Sequence, residues 1–436
     1  MKEQPVKTFG IRKYINEETL GGLVLIAATI AALIWANSAA YPQYHHLWHK
    51  LKAGLHWGSF KMDYSLHHWI NDGLMAVFFF TVGLEIKREV IGGELSSVKK
   101  AIMPVMAALG GMIVPALFYT VMLWSHPEFA KGWGIPMATD IAFALGLLAM
   151  LGKRVPLNLK IFLTALAIAD DLGAVLVIAI FYTESINYNE LITAAVFLAI
   201  LLGANYAGVR RTLFYALTGL IGVWTSFMFS GVHATIAGVL LALTIPARTK
   251  IDEKKYITKL KLLTGKFKES APNENRLLTS QQAHILDEIE TLNEKAHTPL
   301  QKLEHALHPV NAYFILPLFA LANAGVHIEG NLFRLIIHPV SLGIIAGLLL
   351  GKFAGISLMS RLVARFKWAD LPEGVTWKQI YGAGMLAGIG FTMSIFISEL
   401  AFSDPFVIQV AKVGIMTASL IAAVVGMIWI AGVTKK

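Results

Sequence analysis

Asp170 and Asp171 stand side by side in Leu166-Ala-Ile-Ala-Asp170-Asp171-Leu-Gly-Ala-Val175, inside an apolar segment that runs from about Leu159 to Tyr182. Roughly 20 apolar residues at 1.5 Å each cross the hydrocarbon core of a bilayer, so this segment is long enough to span one. An ionisable side chain at mid-depth costs roughly 2.5–3.5 kcal/mol on insertion scales. Two adjacent ones need either a structural partner or work to do with cations or protons. Asp140, in Ala138-Thr139-Asp140, and Lys352, after Gly351, are the other ionisable residues read at that depth. Three acids against one base leave two carboxylates without a counter-charge. Successive helical residues point about 100° apart, so Asp170 and Asp171 cannot serve the same partner. One can face a helix carrying Lys352 while its neighbour faces a cavity. Hard cations such as Na+ and Li+ take oxygen ligands, and carboxylates, the Thr139 hydroxyl and backbone carbonyls supply them. Close carboxylates also repel one another, which favours holding a proton between them. A site that takes either protons or a metal cation, but not both, is an exchanger.

The elements that must position these residues are membrane spans. The chain of 436 residues is 56% hydrophobic and only 15% charged, against about 25% charged in soluble proteins. One polytopic bundle therefore replaces the three or so soluble domains that the length alone suggests. Apolar runs give about twelve spans, near 20–37, 66–88, 102–124, 132–152, 159–182, 190–207, 212–229, 231–246, 309–324, 341–363, 379–401 and 407–433. Of the Lys and Arg in the termini and short loops, nineteen fall on the side of the two termini and five on the opposite side. That bias predicts cytoplasmic termini, and it makes the net charge of +9 a record of orientation rather than of a nucleic-acid partner. No short apolar run with a small-residue cleavage site opens the chain, so no removable signal peptide is expected. The chain has no Cys, which excludes disulfides, thiolate metal sites and cysteine nucleophiles.

Two connections have content of their own. The outer loop 38–65 holds His45, His46 and His49, expected to be solvated rather than zinc-bound, and an alternating run Trp57–Asp63 that predicts a small β-hairpin. The inner loop 247–308 is polar, and Thr279-x-x-Gln282 ahead of Ile285, Ile289 and Leu292 predicts a capped surface helix. The fourth span carries Gly134, Pro136 and Ala138-Thr139-Asp140, and the eleventh carries Gly382, Gly384, Gly388 and Gly390 before Phe391-Thr392-Met393-Ser394. Both read as interrupted, and seven spans apart they run in opposite directions, which points to an inverted-repeat transporter with its site at the midplane. Charged residues also mark span ends. Glu85, Lys87, Arg88 and Glu89 form a cluster at the inner end of the second span. His233 follows Ser230-Gly231-Val232, where it is either a pH responder or a hydrogen-bonded structural residue. His305 and His308 flank Pro309 without the further ligands a metal would need.

Ala138-Thr-Asp-Ile-Ala-Phe-Ala-Leu-Gly146, Ala165-Leu-Ala-Ile-Ala-Asp-Asp-Leu-Gly-Ala174, Ser230-Gly-Val-His-Ala-Thr235, Gly351-Lys352 and Gly388-Ile-Gly-Phe-Thr-Met-Ser-Ile-Phe396 together resemble NhaA-type bacterial Na+/H+ antiporters. The resemblance extends to Trp69-Ile-Asn-Asp72 and Gly83-Leu-Glu-Ile-Lys-Arg-Glu89 and so covers nearly the whole chain. It implies an all-α polytopic fold of twelve spans, the fourth and eleventh broken and crossing, an architecture named among inverted-repeat transporters. It implies Asp171 as the leading cation ligand, with Asp170 beside it and salt-bridged to Lys352 in one protonation state. Thr139 would line the site, and Asp140 and Lys352 would balance the half-helix ends. It further implies electrogenic exchange of Na+ or Li+ for a larger number of protons by alternating access, with these ions as cargo and no cofactor. Glu85, Arg88, His233 and Glu304 would be linked to pH response, and the 38–65 hairpin to a homodimer in the bacterial inner membrane. The family pattern has two adjacent basic residues just before the Leu303-Glu304 position, where this chain has Gln301 and Lys302, and the 247–308 segment is longer than in that pattern.

Three other readings are weaker. An intramembrane aspartyl protease needs a Gly-x-Gly-Asp element that neither Asp140 nor Asp170 provides. A Na+-coupled solute symporter on a related fold needs an organic-solute site. A channel is poorly served by discrete titrating carboxylates.

Overall fold

The computed structural model describes residues 17–57, 60–183, 186–270, 277–328 and 330–434. The terminal basic residues Lys2, Lys7, Arg12, Lys13, Lys435 and Lys436, which bear on orientation, lie outside them. Among the described residues, eight helices are long and apolar enough to cross a membrane: Thr19–Ala36, Val98–Met122, Leu157–Phe181, Tyr188–Tyr206, Thr212–Ser230, Pro299–Asn323, Pro339–Arg365 and Pro405–Val433. Two further pairs reach that length only jointly. Pro127–Met137 with Ile141–Met150 bends by 43°, and Trp377–Leu386 with Phe391–Ala401 bends by 47°. These are the fourth and eleventh expected spans, and both are broken.

The two expected spans outside this set are helical but atypical. Residues 66–92 are helical throughout and carry Asp72, Glu85, Lys87, Arg88 and Glu89. The eighth is reduced to Ala234–Thr244, eleven residues, or about 16 Å of rise. Its short length leaves carbonyls that need donors inside the bundle. Lys87 Nζ donates to Leu243 O and Ile245 O at 2.6 Å each, and Asn205 Nδ2 donates to Thr244 O at 2.8 Å. A cation at a helix C-terminus is the favourable sign, so Lys87 of the charged cluster has a structural task.

The helices Val98–Met122 and Pro339–Arg365 make the closest seam. A Cβ on Gly110 would stand 2.3 Å from Gly355 O, and one on Gly355 2.1 Å from Gly110 O. Small residues let membrane helices approach backbone to backbone, and this seam fixes the helix that bears Lys352. A π turn, Gly347–Gly351, immediately precedes that lysine.

Outside the bundle, β1 (Lys52–Trp57) pairs antiparallel with β2 (Phe60–Ser65), Lys52 opposite Ser65 and Trp57 opposite Phe60. The hairpin therefore starts earlier than the alternating run Trp57–Asp63 indicates, and its tip, residues 58 and 59, lies outside the described residues. The ring of His49 lies 5.1 Å from that of His45 and 4.5 Å from that of His67. In the 247–308 connection the capping box forms as read: Gln282 N donates to Thr279 Oγ1 at 3.2 Å and Thr279 N to Gln282 Oε1 at 3.1 Å. The helix it starts, Ser280–Ala296, lies against a second helix, Glu253–Glu269, and they share a small core of Leu263, Ile285 and Leu292. That second helix is legible in hindsight from the Asp252 cap and from Tyr256, Leu260, Leu263 and Phe267 at helical spacing.

Candidate functional site

The two broken spans cross antiparallel and are stitched by one backbone–backbone bond and two from side-chain hydroxyls to backbone carbonyls. Proline at 136 has no N–H to continue a helix, and the chain opens to extended backbone at Ala138. Asp140 N donates to Ile389 O at 2.7 Å, Thr139 Oγ1 to Ala387 O at 3.0 Å, and Ser394 Oγ to Ile135 O at 2.7 Å. Gly388 sits where a Cβ would come within 2.5 Å of Leu348 O, so the second break is pressed onto the π turn ahead of Lys352. Two helix N-termini and two C-termini thus meet in the interior.

Asp140 occupies the positive side of that meeting. Its Oδ1 accepts from Phe143 N at 2.9 Å, capping Ile141–Met150. Its Oδ2 accepts from Thr392 N at 3.1 Å and Thr392 Oγ1 at 2.5 Å, at the start of Phe391–Ala401. One buried carboxylate therefore faces two half-helix dipoles, where a negative charge is stabilised. Lys352, fully buried, stands at the other sign: its Nζ donates to Thr139 Oγ1 at 2.6 Å, and that hydroxyl donates onward to Ala387 O, just past the C-terminus of Trp377–Leu386.

Asp170 and Asp171 come from the continuous helix Leu157–Phe181 and are each 1% exposed. Lys352 Nζ also donates to Asp170 Oδ2 at 2.6 Å. Asp171 has both carboxylate oxygens buried and without a hydrogen-bond partner. It lines a cavity of about 260 Å³ together with Asp140, Thr392 and Ile168, and the cavity extends to Glu85, Arg88 and Glu304. A bare buried carboxylate is costly unless it holds a proton or a counter-ion, so the position suits alternate occupancy.

At the cavity mouth Arg88 forms ion pairs with Glu304 and, at 2.9 Å, with Glu89. Glu85 lines the wall between them and Asp171. Gln301 and Lys302 lie off this mouth. Gln301 N and Thr298 Oγ1 bond at 3.1 Å in capping the helix that starts at Pro299, and Lys302 is exposed. His233 is not brought to the cluster; its Nε2 lies 3.0 Å from Tyr182 O, at the opposite end of Leu157–Phe181. Sequence reasoning missed three groups. Thr392 follows the glycines of the eleventh span, the signal that could have singled it out. Glu399 and Lys412, left off the set of deep charges, pair at 2.6 Å with 15% and 12% side-chain exposure. Among the described residues no cluster of three or more His, Cys, Asp or Glu is set to hold a resident metal.

The family model described as Na+/H+ antiporter 1 matches residues 12–430. The Na(+)/H(+) antiporter NhaA of Acidithiobacillus ferrooxidans is 51% identical over 427 residues, covering 97% of each chain. That of Oleidesulfovibrio alaskensis is 50% identical over 412 residues, 94% of this chain and 91% of its own. The sodium proton antiporter MjNhaP1 of Methanocaldococcus jannaschii, solved at pH 8, aligns over 96% of each chain at 10% identity with a TM-score of 0.48, a likeness too distant to carry weight. With a family match across nearly its whole length and half its residues identical to relatives of similar extent, the chain belongs to the Na+/H+ antiporter 1 family, that of the NhaA-type antiporters.

Proposed function

We propose that the chain exchanges Na+ or Li+ for protons across the membrane it spans, with Asp171 as the group for which cation and proton compete. The observation that carries this reading is the pair of buried, unbonded oxygens on Asp171 at the foot of a cavity reaching the Arg88–Glu304 mouth. Protonated, Asp171 is neutral and needs no partner; ionised, it offers two oxygens to a hard cation. Asp170 with Lys352 is a second titrating unit, and Thr139 joins it through the lysine. Two protonatable units per cation let two protons enter for one cation leaving. Exchange then moves net charge, and about 2.3 kcal/mol per charge is available from each 100 mV of membrane potential. Asp140 and Lys352 keep the half-helix ends neutral while the crossing tilts the site between the two faces.

The Lys and Arg bias supports cytoplasmic termini and an inner-membrane location, with the β1–β2 hairpin outside. A two-stranded sheet has two outer edges able to accept a strand, which supports a homodimer formed through 38–65. Glu85, Arg88 and Glu304 at the mouth are the proposed pH-responsive group, and His233 is a second titratable position at the opposite end.

Proteoliposomes carrying an imposed proton gradient test the proposal. Na+ or Li+ added at alkaline pH dissipates the gradient, and K+ does not. No Na+-dependent proton movement between pH 6 and 9 would sink the reading; Na+ and an organic solute moving together in one direction would replace it with symport.

A further inference from the structure

The helix Pro299–Asn323 gives the cavity a wall on which Glu304, His308, Asn311 and Leu316 follow one another. Glu304 is engaged with Arg88 at the mouth. Asn311 lies seven residues further along, about 10 Å deeper at 1.5 Å per residue. It is 7% exposed, and its Oδ1 is buried without any hydrogen-bond partner. Of the other side-chain oxygens that line the cavity, those of Thr164 and Asp140 are engaged, and Glu85 adds a carboxylate to the wall nearer the mouth. The Thr164 hydroxyl donates to Lys160 O at 3.0 Å, and Asp140 takes all three donors described above. Much of the remaining lining is apolar, including Leu25, Phe78, Val82 and Ile168.

A buried acceptor with no donor is destabilising, and folds seldom keep one without a use. The backbone points the same way. A π turn, Asn311–Ile315, begins at this residue, two positions after Pro309. Such widened turns within helices concentrate at functional positions. An ion that sheds water along an apolar wall needs protein oxygens in its place, and an unbonded amide oxygen is one.

We propose that Asn311 Oδ1 is an entry ligand, replacing part of the hydration shell of Na+ or Li+ between the Arg88–Glu304 mouth and Asp171. The inference rests on the exchange reading given above. It makes Asn311 a determinant of cation passage and of ion preference, since Li+ holds its water more tightly than Na+, and it leaves the proton-binding carboxylates untouched.

Asn311→Val and Asn311→Ala remove the oxygen, and Asn311→Ser restores a smaller one. In proteoliposomes at fixed alkaline pH, with Na+ and Li+ titrated separately, the Val and Ala variants lower kcat/KM about tenfold. The loss differs between the two ions, and Ser falls between. Thermal unfolding in detergent gives Val a Tm equal to or above that of the parent, because an unsatisfied acceptor has gone. Values of kcat/KM within twofold of the parent for both ions would overturn the inference, and so would an equal loss for both ions, whatever the Tm. If Val does not insert, Ala carries the same expectation. A parent protein without Na+-driven proton movement removes the exchange reading and this inference together. A normal parent with unaltered variants removes only the role of Asn311.

Discussion

Lys352 donates to Asp170 at 2.6 Å and leaves Asp171, the next residue on the same helix, with no donor at all. The two carboxylates share a type, a depth and an exposure of 1%, so the difference lies in direction alone. A turn of about 100° per residue sends Asp170 toward the crossing of the broken spans and Asp171 toward the cavity. The lysine joins Asp170 to Thr139, and Thr139 to the end of a half-helix, so its charge is shared with the scaffold. Asp171 is left without a donor, which is why the exchanging cation or proton is proposed to bind there.

Removing the lysine strands a buried carboxylate. Breaking a buried pair by deleting one partner costs about 3–5 kcal/mol, whereas replacing both partners by apolar groups of similar volume is often neutral. Lys352→Ala is therefore expected to lower thermal stability in detergent sharply while Na+ still binds at Asp171. The double variant Lys352→Met with Asp170→Leu recovers most of the stability. Isothermal titration with Na+ beside melting curves separates the two effects. A Lys352→Ala protein that melts like the parent with an unchanged pH profile would dissolve the proposed Asp170–Lys352 titrating unit.

Asp140 is expected to act through structure. Its two oxygens accept from Phe143 N, Thr392 N and Thr392 Oγ1, so Asp140→Ala removes the cap of one half-helix and the counter-charge of another. A lost cap is worth about 0.5–2 kcal/mol, and a dipole-facing charge up to about 2 kcal/mol in buried geometry. Asp140→Asn keeps acceptors without the charge and should lose less. Ala melting lower than Asn, and Asn lower than the parent, is the ordering to look for. If all three melt together, the carboxylate does not hold the crossing.

Much of this arrangement was legible in the sequence, and the rest was not for identifiable reasons. The broken spans announced themselves because helix breakers cluster with polar residues there, Gly134 and Pro136 ahead of Thr139-Asp140 and four glycines ahead of Thr392. Val98–Met122, by contrast, runs unbroken through Pro104 and Pro115. The separation of Asp170 from Asp171 followed from helical geometry. Which of them met Lys352 did not, since that depends on how far the Gly110–Gly355 seam lets two helices close. The helix Glu253–Glu269 was hidden by its six lysines, whose polarity reads as a loop until its Tyr256, Leu260, Leu263 and Phe267 stripe is matched with a partner. The Glu399–Lys412 pair was overlooked because each residue lies near a span end, where a charge is ordinarily solvated. His233 carried a signal that fitted two readings, and its position on the Tyr182 carbonyl keeps it away from the mouth cluster.

The Gly110–Gly355 seam is itself testable. A side chain on Gly355 would overlap Gly110 O, which is backbone and cannot swing aside. Gly355→Leu has to part the two helices and so displace Lys352, three residues away, from Asp170. Loss of exchange together with a lower Tm is expected, and Gly355→Ala should show a milder form of both. A Leu variant with parent-like exchange would mean that the seam does not set the lysine.

The proposed competition at Asp171 has a signature in pH. Where the site is mostly protonated, each proton that must leave before Na+ can bind raises the apparent KM about tenfold per unit of falling pH. Where it is mostly proton-free, KM is flat. Plotted as log KM against pH, the parent protein should therefore be level at alkaline pH and climb on the acid side. The acid slope counts protons. A slope of one means that Asp171 alone gives up a proton, whereas a slope approaching two means that the Asp170–Lys352 unit releases one in the same step, as net charge movement requires. Coupled groups titrate as a unit, so the limbs belong to the site rather than to one residue. Asp171→Asn should abolish Na+ binding altogether, and Asp170→Asn, if it still exchanges, should reduce the acid slope to one. A KM independent of pH from 6 to 9, with Na+ still driving proton movement throughout that range, would separate proton release from cation binding and exclude a shared site.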